Sequence, residues 1–284
     1  MPEAVLAVLG RGLVDPSAPI VRADDAGLTR GDGCFEGCRL RAGVIDNLDA
    51  HLARMARSAT ALQIAFDRDD WRELAAQAVT AWLTKPRPDE ATVKLLLTRG
   101  GADGTPAGFV AITPVAADTL RARRAGLRVI TLDRGWSADT FAGAPWLLGG
   151  VKTLSYAVNM AAQREATRRG ADDALFVSSD GVVLESPTST PVWAVGRTLH
   201  TTPTAETGIL PGTTQQLLFQ RAAAAGRTTA ETFARVDDLH AADVLWLVSS
   251  VRGPVEVIEL DGKARVRAPA IDAEIRTLVD FPPA

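Results

Sequence analysis

Gly149-Gly150-Val151-Lys152-Thr153-Leu154-Ser155-Tyr156 is the stretch on which the reading of this 284-residue chain turns. An apolar, glycine-flanked approach, Ala144-Pro145-Trp146-Leu147-Leu148, delivers one lysine. Behind it a helix is expected, with Ala157, Met160, Ala161 and Ala162 as small apolar positions and Arg164, Glu165, Arg168 and Arg169 as polar ones. A lysine at the mouth of such a segment has two readings. One is a solvated cation ahead of a helix. The other is a desolvated amine that forms a Schiff base with a carbonyl. The residues around it have to decide.

Composition narrows the field. Hydrophobic residues make up 46% and charged residues 23%, with a net charge of −3 and both signs scattered. That balance suits a globular chain long enough for one large or two medium domains. There is no basic stripe and no weave of arginine with aromatics, so nucleic acid is not an expected partner. No apolar run approaches the roughly 18 residues that span a bilayer. The start, Met1-Pro2-Glu3-Ala4, lacks the charged and apolar regions of a signal peptide, so a cytoplasmic location is expected. Cys34 and Cys38 are the only cysteines and His51, His200 and His240 the only histidines. The cysteine pair reads as reduced and partly buried, and no second pair stands at ligand spacing, so no metal is expected. No G-x-S-x-G occurs, which leaves a serine-hydrolase elbow unsupported.

Outward from Lys152 the chain falls into two parts. Residues 4–14 read as a strand or hairpin, and Asp24 to Gly33 as a polar, glycine-rich loop. Cys38-Arg39-Leu40 and Val44-Ile45 read as short strands. Leu48, Leu52, Met55, Ala59 and Leu62 share one face of a helix capped by Asn47 or Asp49, and a second helix runs from Trp71 to Leu83. Residues 91–99 and 108–113 then pair around a glycine-rich turn, completing an α+β unit over 1–114. Residues 115–126, polar and arginine-rich, read as a linker. In 127–284 the pattern restarts: strands at 127–132, 174–177, 182–184, 192–195, 243–250 and 255–258, and helices after Lys152 and from Thr213 to about Ala225. Asp180-Gly181 is the expected hairpin turn.

Three further groups carry chemistry. Gly208-Ile209-Leu210-Pro211-Gly212-Thr213-Thr214 is a glycine-bounded turn entering a helix; it reads as an ordinary threonine-capped loop or as a phosphate cradle. Ser249 and Ser250 would add hydroxyls to the same anion, and Arg54 a full charge. Glu185, closing an apolar run, reads as a solvated carboxylate or as the partner of a buried cation. At about 4 Å and an effective dielectric near 20, such a pair is worth roughly 4 kcal/mol before desolvation. An amine, an acid for a ring nitrogen and an anion cradle with an arginine are the parts pyridoxal phosphate requires.

Arg30-Gly31-Asp32-Gly33-Cys34-Phe35-Glu36, His51-Leu52-Ala53-Arg54-Met55 with Ser58-Ala59, Lys152-Thr153-Leu154-Ser155-Tyr156, Asp180-Gly181-Val182-Val183-Leu184-Glu185 and Gly208 to Thr214 follow one another along the chain. This ordered set, spanning roughly residues 20 to 260, resembles the class IV (fold type IV) pyridoxal-phosphate enzymes. That group holds branched-chain aminotransferases, D-amino-acid aminotransferases and 4-amino-4-deoxychorismate lyases. The resemblance implies a mixed α+β fold with a small N-terminal domain and a larger, β-barrel-like C-terminal domain with helices. It also implies a homodimer. By resemblance Lys152 is the Schiff-base lysine and acid/base, Glu185 the partner of the pyridine nitrogen and Tyr156 a contact of the ring oxygen. Leu210 backs the ring; Arg54, Gly212, Thr213, Thr214, Ser249 and Ser250 hold the phosphate. The chain departs from the family at Ser186, Thr190, Thr213 and Gln215, where Gly, Asn, Ile and Arg are usual.

Among the members, D-amino-acid aminotransferases share Thr98-Arg99-Gly100 but carry an Arg-x-His carboxylate clamp soon after, absent from Gly101-Ala102-Asp103-Gly104-Thr105-Pro106, and a Tyr where Phe35 stands. The chain is most similar to the aminodeoxychorismate lyases, which share Gly31-Asp32-Gly33-Cys34-Phe35 and a segment like Lys94 to Gly100. The implied reaction removes a proton from the amine-bearing carbon, expels pyruvate and leaves 4-aminobenzoate. An aminotransferase on the same cofactor, of D-amino-acid or branched-chain type, is the alternative; a non-catalytic interaction domain retaining the fold is the alternative of another class. Arg99 is the expected contact for a carboxylate of the small amino substrate, with Phe35, Arg39 and Lys94 as further candidates.

Overall fold

The computed structural model describes residues 4–281; residues 1–3, read above for a leader, lie outside them. Two units form, one of the residues up to Ala116 with Val151–Tyr156, the other of Ala117–Gly150 with Ala157 and the residues after it.

Alternating apolar residues in short runs build the first unit. In chain order it contains β1 (Val5–Val8), β2 (Gly12–Val14), α1 (Ala26–Arg30), β3 (Gly33–Arg41), β4 (Val44–Ile45), α2 (Leu48–Ala61), α3 (Arg68–Leu83), β5 (Glu90–Thr98) and β6 (Ala107–Pro114). The strands form one antiparallel sheet in the order β2-β1-β6-β5-β3-β4. Along β5, Ala91, Val93, Leu95 and Leu97 are fully buried, while Lys94 between them is exposed. That alternation puts one face of the sheet against α2 and α3, where Leu52, Met55, Ala59, Trp71, Leu74 and Trp82 complete the core. Asp67 opens α3, its carboxylate accepting from the N–H groups of Asp69 and Asp70.

The second unit contains α4 (Ala117–Ala125), β7 (Leu127–Asp133), α5 (Ala157–Arg168), β8 (Asp173–Val177), β9 (Thr190–Val195), β10 (Thr198–Thr201), α6 (Thr204–Thr207), α7 (Thr213–Ala224), β11 (Thr228–Glu231), α8 (Val236–Ala241), β12 (Val244–Ser249), β13 (Gly253–Leu260), β14 (Lys263–Ala264) and α9 (Pro269–Leu278). Its mixed sheet runs β11-β10-β9-β12-β13-β7-β8, with β14 on β13. Residues 182–185 bridge the two ends of that path. The N–H of Phe176 donates to Glu185 O, that of Leu184 to Phe176 O, and that of Val183 to Ala234 O just beyond β11. The sheet is therefore barrel-like, as expected, and 182–184 is its bridge rather than a regular strand. β12 is buried on both faces: Leu245 and Leu247 join one core, Val244, Trp246 and Val248 another under α7 and α9.

Two expectations about the boundary change. Residues 115–126 do not form a linker. Ala117–Ala125 is helical, with Asp118 in the first turn and Arg123 and Arg124 in the last, the charge order a helix dipole favours. Arg276 donates to Arg123 O, and Arg123 to Val251 O at 2.5 Å, which ties α4 into the second unit. The Lys152 stretch, placed above in the larger part, belongs to the first unit. The N–H of Leu154 donates to Gly33 O at 2.8 Å and that of Phe35 to Lys152 O at 3.1 Å, extending the sheet along the edge of β3. Among the described residues no helix is long and apolar enough to cross a membrane.

Candidate active site

The first unit holds the amine. Lys152 N–H donates to Ser58 Oγ on α2, and its side chain lies over two aromatic rings. Nζ stands 4.5 Å from the Phe35 ring centroid and 5.6 Å from that of Tyr156, the two rings meeting edge to face at 5.1 Å. Pairing with β3 fixes the lysine's backbone, and aromatic faces hold its ammonium end by cation–π attraction.

β3 divides its residues between two faces. Cys34, Glu36 and Cys38 point into the core; Phe35 lies on the face with Lys152. Glu36 is wholly buried among apolar side chains, which demands partners. Arg54 supplies two, Nε to Oε1 at 2.8 Å and Nη2 to Oε2 at 2.7 Å, and His51 Nδ1 lies 2.7 Å from Oε2. Burial alone would raise the Glu36 carboxyl, but the Arg54 hydrogen bonds and charge, with His51, hold it at about 2. Burial pushes His51 down and the Cys34 thiol up to about 12. The two cysteines are buried free thiols. Arg54, expected on a phosphate, is thus first the partner of Glu36. Glu36, His51 and Ser58 were assigned no role from sequence, yet there was a signal. A histidine and an arginine one turn apart on the buried face of a helix need an acid opposite.

The candidate carboxylate contacts separate. Arg99 donates from Nε and Nη2 to Asp32 at 2.6 and 3.3 Å, from Nη2 to Leu62 O at 2.6 Å and from Nη1 to Gln63 O at 3.3 Å. It ties the end of β5 to the residues that close α2. Arg39 is buried between Asp46 and Glu90. Both guanidinium groups serve the fold in this structure; Lys94 is exposed, with its Nζ 6.0 Å from the Phe35 centroid.

The second unit holds the acid and the anion cradle. Glu185 Oε2 accepts from the N–H of Leu210 at 3.1 Å, which fixes the carboxylate against the turn before α7. Close by, Arg134 is stacked between Trp136 and Phe176 at 4.5 and 4.4 Å. Burial lowers its pKa and the charge of Glu185 opposes that. α7 starts at Gly212 with no side chain capping it. The hydroxyls of Thr213 and Thr214 lie 3.2 and 2.9 Å from Ser250 Oγ, so three donors gather at a helix N-terminus. Ser249 pairs with Gly253 across the β12–β13 hairpin and carries Ser250 into place. Arg252, in the same turn, donates to Asp173 and to Ser189 Oγ, both at 2.8 Å, while Ser186 Oγ donates to Asp173 at 3.1 Å. This buried network ties the Ser250 turn to the loop after Glu185. Sequence gave no sign of it, because Arg252 and Asp173 lie 79 residues apart.

The second unit's cradle fits a phosphate group such as that of pyridoxal phosphate. A Cβ at Gly212 would come within 2.4 Å of Thr190 Oγ1, so the residue that opens the cradle has no side chain to fill it. Among the described residues no cluster suits a metal.

Residues 33–260 match the sequence model of the family described as amino-transferase class IV. The chain is 41% identical over 265 residues to the bifunctional aminodeoxychorismate lyase / D-amino acid transaminase of Mycobacterium tuberculosis, covering 90% of this chain and 91% of that protein. Among solved structures it is similar to the PLP-bound form of a hypothetical aminotransferase from Mycobacterium tuberculosis. There the TM-score is 0.94 at 41% identity, over 98% of this chain and 97% of that one. It is also similar to a fold IV-transaminase from Curtobacterium pusillum, with a TM-score of 0.91 at 38% identity, over 98% and 97%. The chain therefore belongs to the class IV aminotransferases and is a pyridoxal-phosphate enzyme, a lyase or an aminotransferase.

Proposed function

We propose that the protein is a 4-amino-4-deoxychorismate lyase, releasing pyruvate to form 4-aminobenzoate, with D-amino-acid transamination as a second activity. The observation that carries the first reading is the loop at 101–106. D-amino-acid aminotransferases place a carboxylate clamp there. Here Arg22 is held by Asp24 and Asp103, and Asp24 also accepts from the N–H of Ala102. The arginine at that turn is already engaged by two acids, so the turn lacks the carboxylate clamp of those enzymes. The second reading rests on the 41%-identical relative, whose name carries both activities.

Bound pyridoxal phosphate supplies an electron-withdrawing ring that stabilises negative charge on the amine-bearing carbon. The chain's own groups do the rest. Lys152 Nζ takes the proton from that carbon. In the lyase, the carbon–oxygen bond to the enolpyruvyl group then breaks and the departing enolate takes up a proton, giving pyruvate. In the transaminase, Lys152 would deliver that proton to the cofactor-side carbon, the amino group would stay with the cofactor, and water would supply the carbonyl oxygen of the keto acid. Glu185, fixed by the Leu210 N–H, would be the partner that keeps the ring nitrogen protonated. By the family resemblance, the start of α7 with Ser249 and Ser250 would anchor the phosphate, and Arg54, Leu210 and Tyr156 would be further cofactor contacts. Homodimeric assembly and a cytoplasmic location belong to the same reading.

Incubation with aminodeoxychorismate should yield 4-aminobenzoate and pyruvate in equal amounts. Incubation with D-alanine and 2-oxoglutarate should yield pyruvate and glutamate more slowly. Transamination without any 4-aminobenzoate would leave only the second reading.

A further inference from the structure

The turn between β12 and β13, Ser250-Val251-Arg252, is tied to other parts of the second unit at every residue. Ser250 Oγ meets the hydroxyls of Thr213 and Thr214 at the start of α7, and Val251 O accepts from Arg123. Arg252 donates from one nitrogen, Nη2, to Asp173 Oδ2 and to Ser189 Oγ. Asp173 opens β8 and has no exposure at all. Its other oxygen accepts from the N–H of Ala174 at 2.9 Å and from Ser186 Oγ. Ser186 and Ser189 exchange backbone hydrogen bonds, which closes the loop between them. Ser186 follows Glu185, and Ser189 precedes Thr190, whose Oγ1 stands where a Cβ on Gly212 would fall. One buried ion pair therefore holds the Ser250 turn, the Thr190 wall of the cradle and the loop that begins after Glu185.

Stability gives little reason for such a pair. Taking both charges out of water offsets most of what their attraction returns. Arg252 Nε is also buried without a partner among the described residues, which costs free energy. What a buried pair can do is fix one arrangement among several. We propose that Asp173 and Arg252 are positioning residues that set the spacing of the phosphate cradle, and so make the site select a phosphorylated aldehyde over the same aldehyde without its phosphate. The inference rests on the start of α7 being the phosphate site. The donors there are short, namely hydroxyls and the N–H groups of the first helical turn. A hydroxyl displaced by about 1 Å from a contact near 2.8 Å no longer makes a hydrogen bond. Ser250 lies two residues before Arg252, so releasing Arg252 lets its hydroxyl drift from Thr213 and Thr214. Releasing Ser189 at the same time frees Thr190, against which Gly212 packs. Both sides of the cradle depend on one guanidinium nitrogen, which acts through these neighbours.

The test strips the cofactor from the full-length enzyme and titrates it, by intrinsic fluorescence, with pyridoxal phosphate, with pyridoxal and with inorganic phosphate. Both aldehydes can engage the lysine, so the ratio of their dissociation constants isolates the phosphate. Arg252→Met should lower that ratio about tenfold or more, the size of one hydrogen bond to a charged group. It should weaken inorganic phosphate by a similar factor and leave pyridoxal nearly unchanged. Arg252→Met also strands the Asp173 charge, so the double variant Asp173→Asn/Arg252→Met removes both charges. The double variant should regain stability in urea and keep the lowered ratio. Arg252→Lys should recover most of the ratio, because both bonds leave from one nitrogen and an ammonium carries donors enough for both. An unchanged ratio in the stable double variant, or equal losses on the two aldehydes, would overturn the assignment. If the unmodified enzyme showed no preference for the phosphorylated aldehyde, the cradle itself would fail and this assignment with it. A preference lowered by Gly212→Ala but not by the Arg252 variants would leave the cradle standing and refuse the assignment alone.

Discussion

Glu36 has no exposure at all in a core of leucine, methionine and tryptophan, and it stays ionised because Arg54 and His51 reach it from successive turns of α2. Its pKa falls from 4.5 to about 2 on folding, so the folded state prefers its deprotonated form. The stability this contributes is present above the unfolded value and is lost as pH falls through about 2. Urea melts from pH 6 down to pH 2.5 should show declining stability, and a Glu36→Gln variant a flatter slope over that window. An unchanged slope would remove Glu36 as the source. Arg54→Met strands a buried carboxylate, for which about 3–5 kcal/mol is the expected loss in the same melts at pH 7. At this scale the sequence singled out Lys152 but not its setting, since Ser58 and Phe35 are remote along the chain. It did not show the partners of Arg99 and Arg39, because charge alone does not reveal Asp32, 67 residues from Arg99, or Glu90, 51 residues from Arg39.

Elements that depend on periodicity were visible in advance: α2, α3, β5, β6, α7 and β12 lie where apolar spacing placed them. α4 was not, since a short polar segment rich in arginine looks like a linker until its last turn is seen bound to the second unit. α9 starts with Pro269, a favoured first helical residue, but follows no polar cap that would have marked it. At α7 the close approach of Thr190 to Gly212 accounts for two features together. Thr190 replaces the family's usual Asn, and its Oγ1 occupies the space a side chain at 212 would need. Gly212→Ala should therefore shift the helix start and weaken phosphate anchoring. Fluorescence titration with pyridoxal phosphate should show a loss of about tenfold or more, against near-normal thermal stability. Full-strength binding would mean that α7 does not cradle the phosphate. In the first unit, Trp71→Ala should cost about 3–5 kcal/mol by opening a cavity under the sheet, read by urea denaturation.

For the whole molecule, the order of motifs along the chain was enough to give the family and an α+β architecture with a barrel-like second part. What it concealed is that the Val151–Tyr156 segment leaves the run of the second unit and joins the sheet of the first. That exchange follows from backbone pairing at Gly33 and Phe35, which no apolar period encodes. It puts the amine on β3's edge, while Glu185 and the α7 cradle are built by the second unit. The central claim is that this one lysine, among the chain's four, is the amine that engages pyridoxal phosphate. Borohydride reduction of the loaded enzyme, proteolysis and peptide mass analysis test it directly. The phosphopyridoxyl mass should appear on the peptide containing Lys152 and vanish in Lys152→Ala; its appearance on the Lys85, Lys94 or Lys263 peptide, or on none, would contradict the account.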